Sequence, residues 1–186
     1  MFMKKDYGEK MVVQEWMATA LLDLMKEQSY DSITITQITQ KAGVSRMTYY
    51  RNYVEKEDIL EFYGNYLSEL FAQKIRDTDS FSAKDYWNLL FEFIFENREY
   101  IEALMNSGKG EIILNAMNDN IEDITEGNRK YAARFGVGAS YNIIRGWVKD
   151  SFKESPSELA KIMFSLTNQN FTEFIVNAYS NHFNKL

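Results

Sequence analysis

The sequence predicts an all-α protein, with a three-helix N-terminal domain, a C-terminal helical domain and about nine helices in all. Apolar residues recur every three or four positions along most of the chain, and no stretch alternates apolar and polar residues as a half-buried strand does. Several segments begin with Ser or Thr and carry Glu, Gln or Asp three residues later, which is the pattern of a helix capping box. With 45% hydrophobic residues, the chain of 186 residues can bury a sizeable core.

The first helix is expected over residues 10–28, where apolar residues form a stripe on one face. The stripe consists of Val13, Trp16, Met17, Ala20, Leu21, Leu24 and Met25. Because such a stripe packs against a core, this helix is expected to brace the segment that follows it.

Residues 34–60, TITQITQKAGVSRMTYYRNYVEKEDIL, predict two short helices joined by a tight turn and followed by the start of a third. Thr34 and Gln37 have the spacing of a capping box at the start of the first helix. Gly43 stands where that helix would end, a position that often requires the positive φ that glycine adopts at low cost.

The second helix of this segment is expected over residues 46–52, after a turn in which Val44 is buried and Ser45 caps the helix. Tyr49 and Tyr53 are expected to be buried. Two helices joined by a glycine-containing turn form a helix-turn-helix, the motif whose second helix enters the major groove of DNA.

This segment resembles the DNA-binding domain of the TetR family of transcriptional regulators. The matching residues are Thr34, Ile35, Ile38, Ala42, Gly43, Val44, Ser45, Thr48, Tyr49, Tyr50, Lys56, Glu57 and Leu60, with Tyr53 where the family usually has Phe. The resemblance implies a base-facing set of side chains, which are Arg46, Met47, Thr48, Tyr50 and Arg51. It also implies a phosphate-holding set, which is Thr34, Asn52 and Lys56.

The net charge of −6 does not by itself favour nucleic acid as a partner, but the charges are unevenly distributed. Between residues 41 and 56, the single acid Glu55 is accompanied by the cations Lys41, Arg46, Arg51 and Lys56. Positive charge is therefore concentrated where phosphate groups would be met, and DNA binding is expected to weaken markedly with salt. Glu55 departs from the family pattern at this point.

We expect the chain to consist of a DNA-binding domain at residues 1–56, a connecting helix at 57–76 and a C-terminal regulatory and dimerisation domain at 77–186. In the C-terminal domain, Ser82 and Asp85 have the spacing of a cap for a helix that carries many aromatic residues. Further helices are expected at 100–105, 111–124, 131–152 and 156–180.

Two short segments of the C-terminal domain, residues 93–98 and 146–156, resemble the C-terminal domain common in TetR-type regulators of Gram-positive bacteria. The resemblance implies a homodimer in which the helices around 131–152 and 156–180 pair with their copies across a twofold axis. Small residues would permit close approach there: Ala132, Ala133, Gly136 and Ala139. Such a dimer suits a palindromic operator.

An effector pocket, if the C-terminal domain has one, is expected among its aromatic residues. The residues predicted for it are Tyr86, Trp87, Phe91, Phe95, Tyr100, Tyr141 and Trp147. The alternative interpretation is that these side chains only fill the core. Many members of the family bind a small-molecule effector, and others respond to a protein partner.

Catalysis is not expected, because no cluster of catalytic residue types is present. The chain has no cysteine, and Gly108-Lys109-Gly110 lacks the spacing of a phosphate-binding loop. No cofactor and no metal site are expected. No apolar run approaches the roughly 18 residues of a membrane span, so no membrane association is expected and the protein is assigned to the cytoplasm.

The function expected from the sequence is sequence-specific DNA binding in transcriptional regulation, and the role of a repressor is favoured over that of an activator. The protein would bind a palindromic operator as a homodimer and be released by an effector or a partner. The alternative is a helix-turn-helix co-regulator that acts mainly through a protein partner.

Overall fold

The computed structural model describes residues 9–77, 82–121 and 129–167. Within these ranges the secondary structure is entirely helical, with nine α-helices, one 3₁₀ turn and no strand, which confirms the all-α prediction. The elements are α1 (Glu9–Glu27), the 3₁₀ turn (Tyr30–Ser32), α2 (Ile35–Lys41), α3 (Arg46–Asn52), α4 (Glu57–Arg76), α5 (Ala83–Glu96), α6 (Arg98–Asn106), α7 (Glu111–Asp119), α8 (Arg129–Lys149) and α9 (Pro156–Leu166). None of the helices described has the length and apolar character that a bilayer crossing requires.

The chain forms two compact units, residues 1–65 and 66–186, and the boundary between them falls within α4. In the first unit, α2 packs against both α1 and α3. Fully buried side chains from all four helices make its core, including Met17, Leu21, Ile38, Tyr49, Ile59 and Leu60. Trp16, which was expected in the buried stripe of α1, is instead 52% exposed, because the stripe faces the other helices only on the side of Met17 and Leu21.

The turn between α2 and α3 has the predicted local structure. Thr34 and Gln37 form a capping box at α2, and the Ser45 hydroxyl accepts a hydrogen bond of 3.1 Å from the backbone N–H of Thr48. Gly43 has a φ of +68°, so the left-handed position is occupied by the residue that tolerates it. Val44 is half-buried, not buried as predicted, because the short turn leaves it at the surface.

In the second unit, α5 lies against α9, and α8 contacts α6 and α7. The capping box of Ser82 and Asp85 at α5 is present as predicted. The buried Asn120 at the end of α7 donates to the hydroxyl oxygen of Ser68 at 2.5 Å and to the carbonyl of Ala116 at 3.0 Å. A polar contact therefore joins the end of α7 to the second half of α4 inside this unit.

Three helices end earlier than the sequence suggested. α7 ends at Asp119 and not at residue 124, and residues 122–128 lie outside the described residues. α8 ends at Lys149 and not at residue 152, because Ser151 and Phe152 take left-handed φ values of 55° and 54°.

α9 ends at Leu166, and the next residue, Thr167, has an extended backbone. The Thr167 hydroxyl donates to the carbonyl of Met163 at 2.7 Å and accepts from the indole N–H of Trp87 at 3.1 Å. These two bonds hold the chain at the point where the helix stops. Residues 168–180 of the predicted last helix lie outside the described residues.

Candidate nucleic-acid interface

The outer face of α3 carries most of the side chains predicted to face DNA bases. Arg46, Met47, Tyr50 and Arg51 are exposed, with Met47 at 69% and Tyr50 at 52%, and Thr48 is half-buried. The opposite face is anchored by Tyr49, which is fully buried. Because the Tyr49 ring anchors the inner face of α3 in the core, the outer face of this helix of seven residues is available for a partner.

Arg46 and Tyr50 are paired on this face, one helical turn apart. The Arg46 guanidinium donates to the Tyr50 hydroxyl at 3.4 Å, and its carbon lies 6.0 Å from the centre of the Tyr50 ring. Arg51 makes no hydrogen bond or ion pair with any residue that the structure describes. The guanidinium groups are thus presented to solvent, where a planar donor pair can meet a guanine edge or a phosphate.

Beneath α3, two tyrosine hydroxyls are buried with no hydrogen-bond partner among the described residues, those of Tyr49 and Tyr53. Their rings lie 5.8 Å apart, and Gln14 is the polar side chain that faces Tyr53. Burial, the largest cause, raises the pKa of Tyr49 to about 12 and also raises the pKa of Tyr53. Both phenols are therefore neutral over the physiological range and act as packing groups under the exposed face.

The residues predicted to hold phosphates all make bonds within the chain. The Thr34 hydroxyl lies within the capping box with Gln37, and the Asn52 side chain donates to the carbonyl of Thr48 at 2.7 Å. The Lys56 ammonium donates to the carbonyls of Tyr30, Asp31 and Ile33, at 2.6, 3.3 and 3.0 Å respectively. Their phosphate-holding role stays a prediction, and for Lys56 it competes with three existing bonds.

Sequence reasoning missed two residues at this end of the domain. The Tyr30 ring lies 4.3 Å below the Lys56 ammonium. The Asp58 carboxylate accepts hydrogen bonds from the backbone N–H groups of Val54 and Glu55, at 2.7 and 3.1 Å. The acid three residues after Glu55 is a sequence signal for this second contact, since acids are favoured in the first turn of a helix. No local signal points to Tyr30, which is 26 residues from Lys56 in sequence.

The aromatic residues predicted for an effector pocket form a packed cluster in the second unit. Phe91 and Phe95 both contact the Trp147 ring, with centroid distances of 5.8 and 5.9 Å. The indole N–H of Trp147 donates to the carbonyl of Glu154 at 3.0 Å. Five of the seven predicted residues are buried, namely Tyr86, Trp87, Phe91, Tyr100 and Trp147. Phe95 and Tyr141 are half-buried. This geometry is that of a filled core, and the pocket stays a prediction.

Two surface grooves lie elsewhere in the described residues. One, in the first unit, is lined by Trp16, Thr19, Ala20, Asp23, Lys41 and Ala42. The other, in the second unit, is lined by Asn118, Asp119, Ile121 and Arg134. Neither groove is lined by the predicted pocket aromatics, so these grooves do not support that prediction.

Large apolar side chains are exposed on the two helices predicted to form a dimer. On α8, Tyr131 is 65% and Phe135 is 68% exposed, and on α9, Leu166 is 74% exposed. Ala133 and Gly136, expected to face a partner, are instead buried within the chain, since this face of α8 packs on its own unit. Ala132 and Ala139 are half-buried.

Comparison with known families and proteins agrees with the resemblance in the sequence. Residues 82–169 match the TetR_C_8 family, described as a transcriptional regulator C-terminal region. The chain is 25% identical over 169 residues to an uncharacterised HTH-type transcriptional regulator, YxbF, of Bacillus subtilis, an alignment that covers 81% of this chain and 43% of YxbF. It is 26% identical over 97 residues to the dhaKLM operon transcriptional activator DhaS of Lactococcus lactis, covering 52% of this chain and 50% of DhaS. The chain thus spans about half the length of the curated relatives it matches.

Solved structures give the same fold. A structure of the dihydroxyacetone kinase operon activator DhaS aligns with a TM-score of 0.56 and 20% identity, over 84% of this chain and 94% of that one. The fatty acid degradation regulator FadR from Bacillus halodurans aligns with a TM-score of 0.57 and 17% identity, over 92% of this chain and 97% of that one. At these identities the likeness shows the fold alone.

Proposed function

We propose that the chain is a TetR-type transcriptional regulator and not an enzyme, and that it binds a palindromic DNA operator sequence-specifically, as a homodimer. The observation that carries the proposal is the outer face of α3, where Arg46, Tyr50 and Arg51 are exposed above the buried Tyr49. This arrangement supports a helix that enters the major groove while its inner face stays in the core.

The exposed side chains of α3 have the chemistry that base recognition requires. A guanidinium such as that of Arg46 or Arg51 can donate two hydrogen bonds to a guanine edge, which contributes about 1–3 kcal/mol of discrimination. Met47 offers an apolar surface for a thymine methyl group, and the hydroxyl of Thr48 can bond to several bases. Asn52 is proposed to set the register through a phosphate with the second N–H of its amide, whereas Thr34 would do so by exchanging the hydrogen bond that its hydroxyl donates to the Gln37 side chain.

Dimerisation is supported by the exposed apolar side chains of α8 and α9. Tyr131 and Phe135 lie one turn apart on α8, and burying two large aromatic rings favours association. A twofold dimer repeats the same patch on both chains and presents two copies of α3 to two half-sites. Because its proposed partner is an operator, we also propose that the protein lies in the cytoplasm.

Regulation is proposed to work by linkage. An effector or partner that prefers one arrangement of the dimer lowers DNA affinity, and DNA lowers the affinity for that effector by the same factor. α4 belongs to both compact units, so it is the segment through which a change in the second unit would reach the first. We expect a repressor, although the relative DhaS is named an activator, and a promoter–reporter assay with and without the protein decides the sign.

The test of the proposed function is DNA selection from a random pool, followed by fluorescence anisotropy on the selected and on scrambled duplexes. The variant Arg46→Ala/Arg51→Ala should lose the preference for the selected sequence. The matched control is Lys84→Ala, which removes an exposed cation from the second unit and should leave that preference unchanged. Enrichment of no sequence by the wild type would refute sequence-specific binding. A preference that survives in the double variant would favour a co-regulator that acts through a protein partner.

A further inference from the structure

Lys56, the residue directly before α4, binds one backbone segment through its ammonium group. A lysine ammonium has three N–H donors, and Lys56 directs them at three carbonyl oxygens within 3.3 Å, all from the segment that joins α1 to α2. Its charge also lies over the Tyr30 ring. The last of these carbonyls belongs to Ile33, directly before the capping residue Thr34. Lys56 therefore fixes the position at which α2 begins.

The first turn of α4 also binds the backbone that follows α3, in this case through the carboxylate of Asp58. Asp58 accepts hydrogen bonds from the N–H groups of Val54 and Glu55, which directly follow Tyr53, the C-cap residue of α3. Those two N–H groups are thereby occupied within the chain. Lys56 therefore binds the backbone directly before α2, and Asp58 binds the backbone directly after α3.

We propose that Lys56 and Asp58 are positioning residues that form a clamp around the helix-turn-helix, and that Lys56 does not hold a phosphate. The clamp comprises Lys56, Asp58 and the backbone groups they bind. This inference rests on the proposed DNA binding but assigns a different role to Lys56 from the one that the family resemblance implies. A phosphate could recruit Lys56 only by displacing its bonds to these carbonyls, of which that of Tyr30 also accepts from the backbone N–H of Ile33 at 3.2 Å.

The proposal is testable because Lys56 and Asp58 have opposite charges. If charge alone mattered, removing the lysine would weaken DNA binding and removing the acid would strengthen it. Loss of a phosphate-bound lysine lowers the slope of log Kd against log salt by about 0.9 for each lysine, and therefore by about 1.8 for a homodimer on its operator. The clamp instead requires that Lys56→Gln leave the slope unchanged and that Asp58→Ala weaken binding, although it removes a negative charge.

The experiment measures Kd on the selected duplex at four salt concentrations for wild type, Lys56→Gln, Asp58→Ala and two controls. Arg51→Gln should lower the salt slope, because it removes an exposed cation from the face of α3 that is proposed to meet DNA. Glu61→Ala removes an exposed acid from the next turn of α4 and should not weaken binding. Both clamp variants should bind about tenfold more weakly or worse, comparable to the loss of one base contact, at a temperature where circular dichroism shows them folded. Lys56→Arg, which keeps a donor group, should recover part of the affinity.

A salt slope that falls in Lys56→Gln as it does in Arg51→Gln would overturn the proposal, and so would undiminished affinity in the folded variants. Thermal unfolding tests the clamp without DNA, since Lys56→Gln and Asp58→Ala should each lower the Tm. An unchanged Tm in both would also overturn it, even if a variant cannot be assayed on DNA. Absence of specific binding by the wild type would refute the proposed function instead, and the unfolding data would still decide whether the clamp exists.

Discussion

Replacing Tyr53 with Phe should stabilise the protein, although it deletes a polar group from the core of the DNA-binding unit. The Tyr53 side chain is 5% exposed, and its hydroxyl makes no hydrogen bond of 3.5 Å or less with the described residues, although it faces the Gln14 side chain. An unsatisfied buried polar group costs about 1–3 kcal/mol, and the oxygen that is removed leaves only a small void. We therefore expect Tyr53→Phe to raise the free energy of unfolding by about 1 kcal/mol.

The assay is urea and thermal unfolding followed by circular dichroism, in which a gain of about 1 kcal/mol raises the Tm by about 2–4 °C for a chain of this size. The matched control is Tyr50→Phe in the neighbouring α3, because the Tyr50 side chain is 52% exposed and its hydroxyl can be hydrated, so stability should change little. A loss of stability in Tyr53→Phe would refute the reasoning, because it would mean that Gln14 or a buried water satisfies the hydroxyl.

Three further predictions concern pH, packing and assembly. Because the pKa of Tyr49 rises from 10.0 to about 12, its contribution to stability is intact below pH 10 and is lost as the pH rises from 10 to 12, and Tyr49→Phe should flatten that loss in unfolding titrations. Gly110→Ala places a Cβ 2.8 Å from the Tyr141 hydroxyl and 2.9 Å from the Met105 sulfur, so it should lower stability by about 1 kcal/mol, and Tyr141→Phe should recover part of it in a double-mutant cycle. Phe135→Asp should give a folded monomer by light scattering, whereas a dimer of unchanged affinity would count against the proposed interface.

The helix-turn-helix could be predicted closely because its signals are local. The capping of α2 by Thr34, the left-handed Gly43 and the capping of α3 by Ser45 each depend on residues within four positions of one another. Local pattern also gave the bounds of α3 and α4. Burial of Tyr49 and Tyr53 followed from helical periodicity, which requires no knowledge of distant residues.

The remaining features depend on contacts between distant residues, and no spacing in the sequence encodes them. Lys56 binds a carbonyl 26 residues away, and Trp87 binds the residue at the end of α9, 80 residues away. The end of α8 was missed for a different reason. Ser151 and Phe152 adopt left-handed backbone without being glycine or asparagine, and the Phe152 ring contacts the Trp147 ring at 5.0 Å, which helps to hold this strained turn.

For the aromatic residues of the second unit, residue type alone does not distinguish an effector pocket from a filled core. Sequence alone left two interpretations open, a pocket and a filled core. The structure places Phe91 and Trp147 in ring contact and satisfies both buried indole N–H groups within the chain. Composition could not distinguish the two interpretations, because the same side chains line a pocket or fill it.

The most direct test of the central claim is the DNA preference of the wild type against that of Arg46→Ala/Arg51→Ala, measured by anisotropy on selected and scrambled duplexes in the same salt. If α3 reads DNA through its exposed face, the wild type should bind the selected duplex at two chains per site and far more tightly than the scrambled one, and the double variant should bind both equally. Equal binding of both duplexes by the wild type, or an unchanged preference in the double variant, would contradict the account.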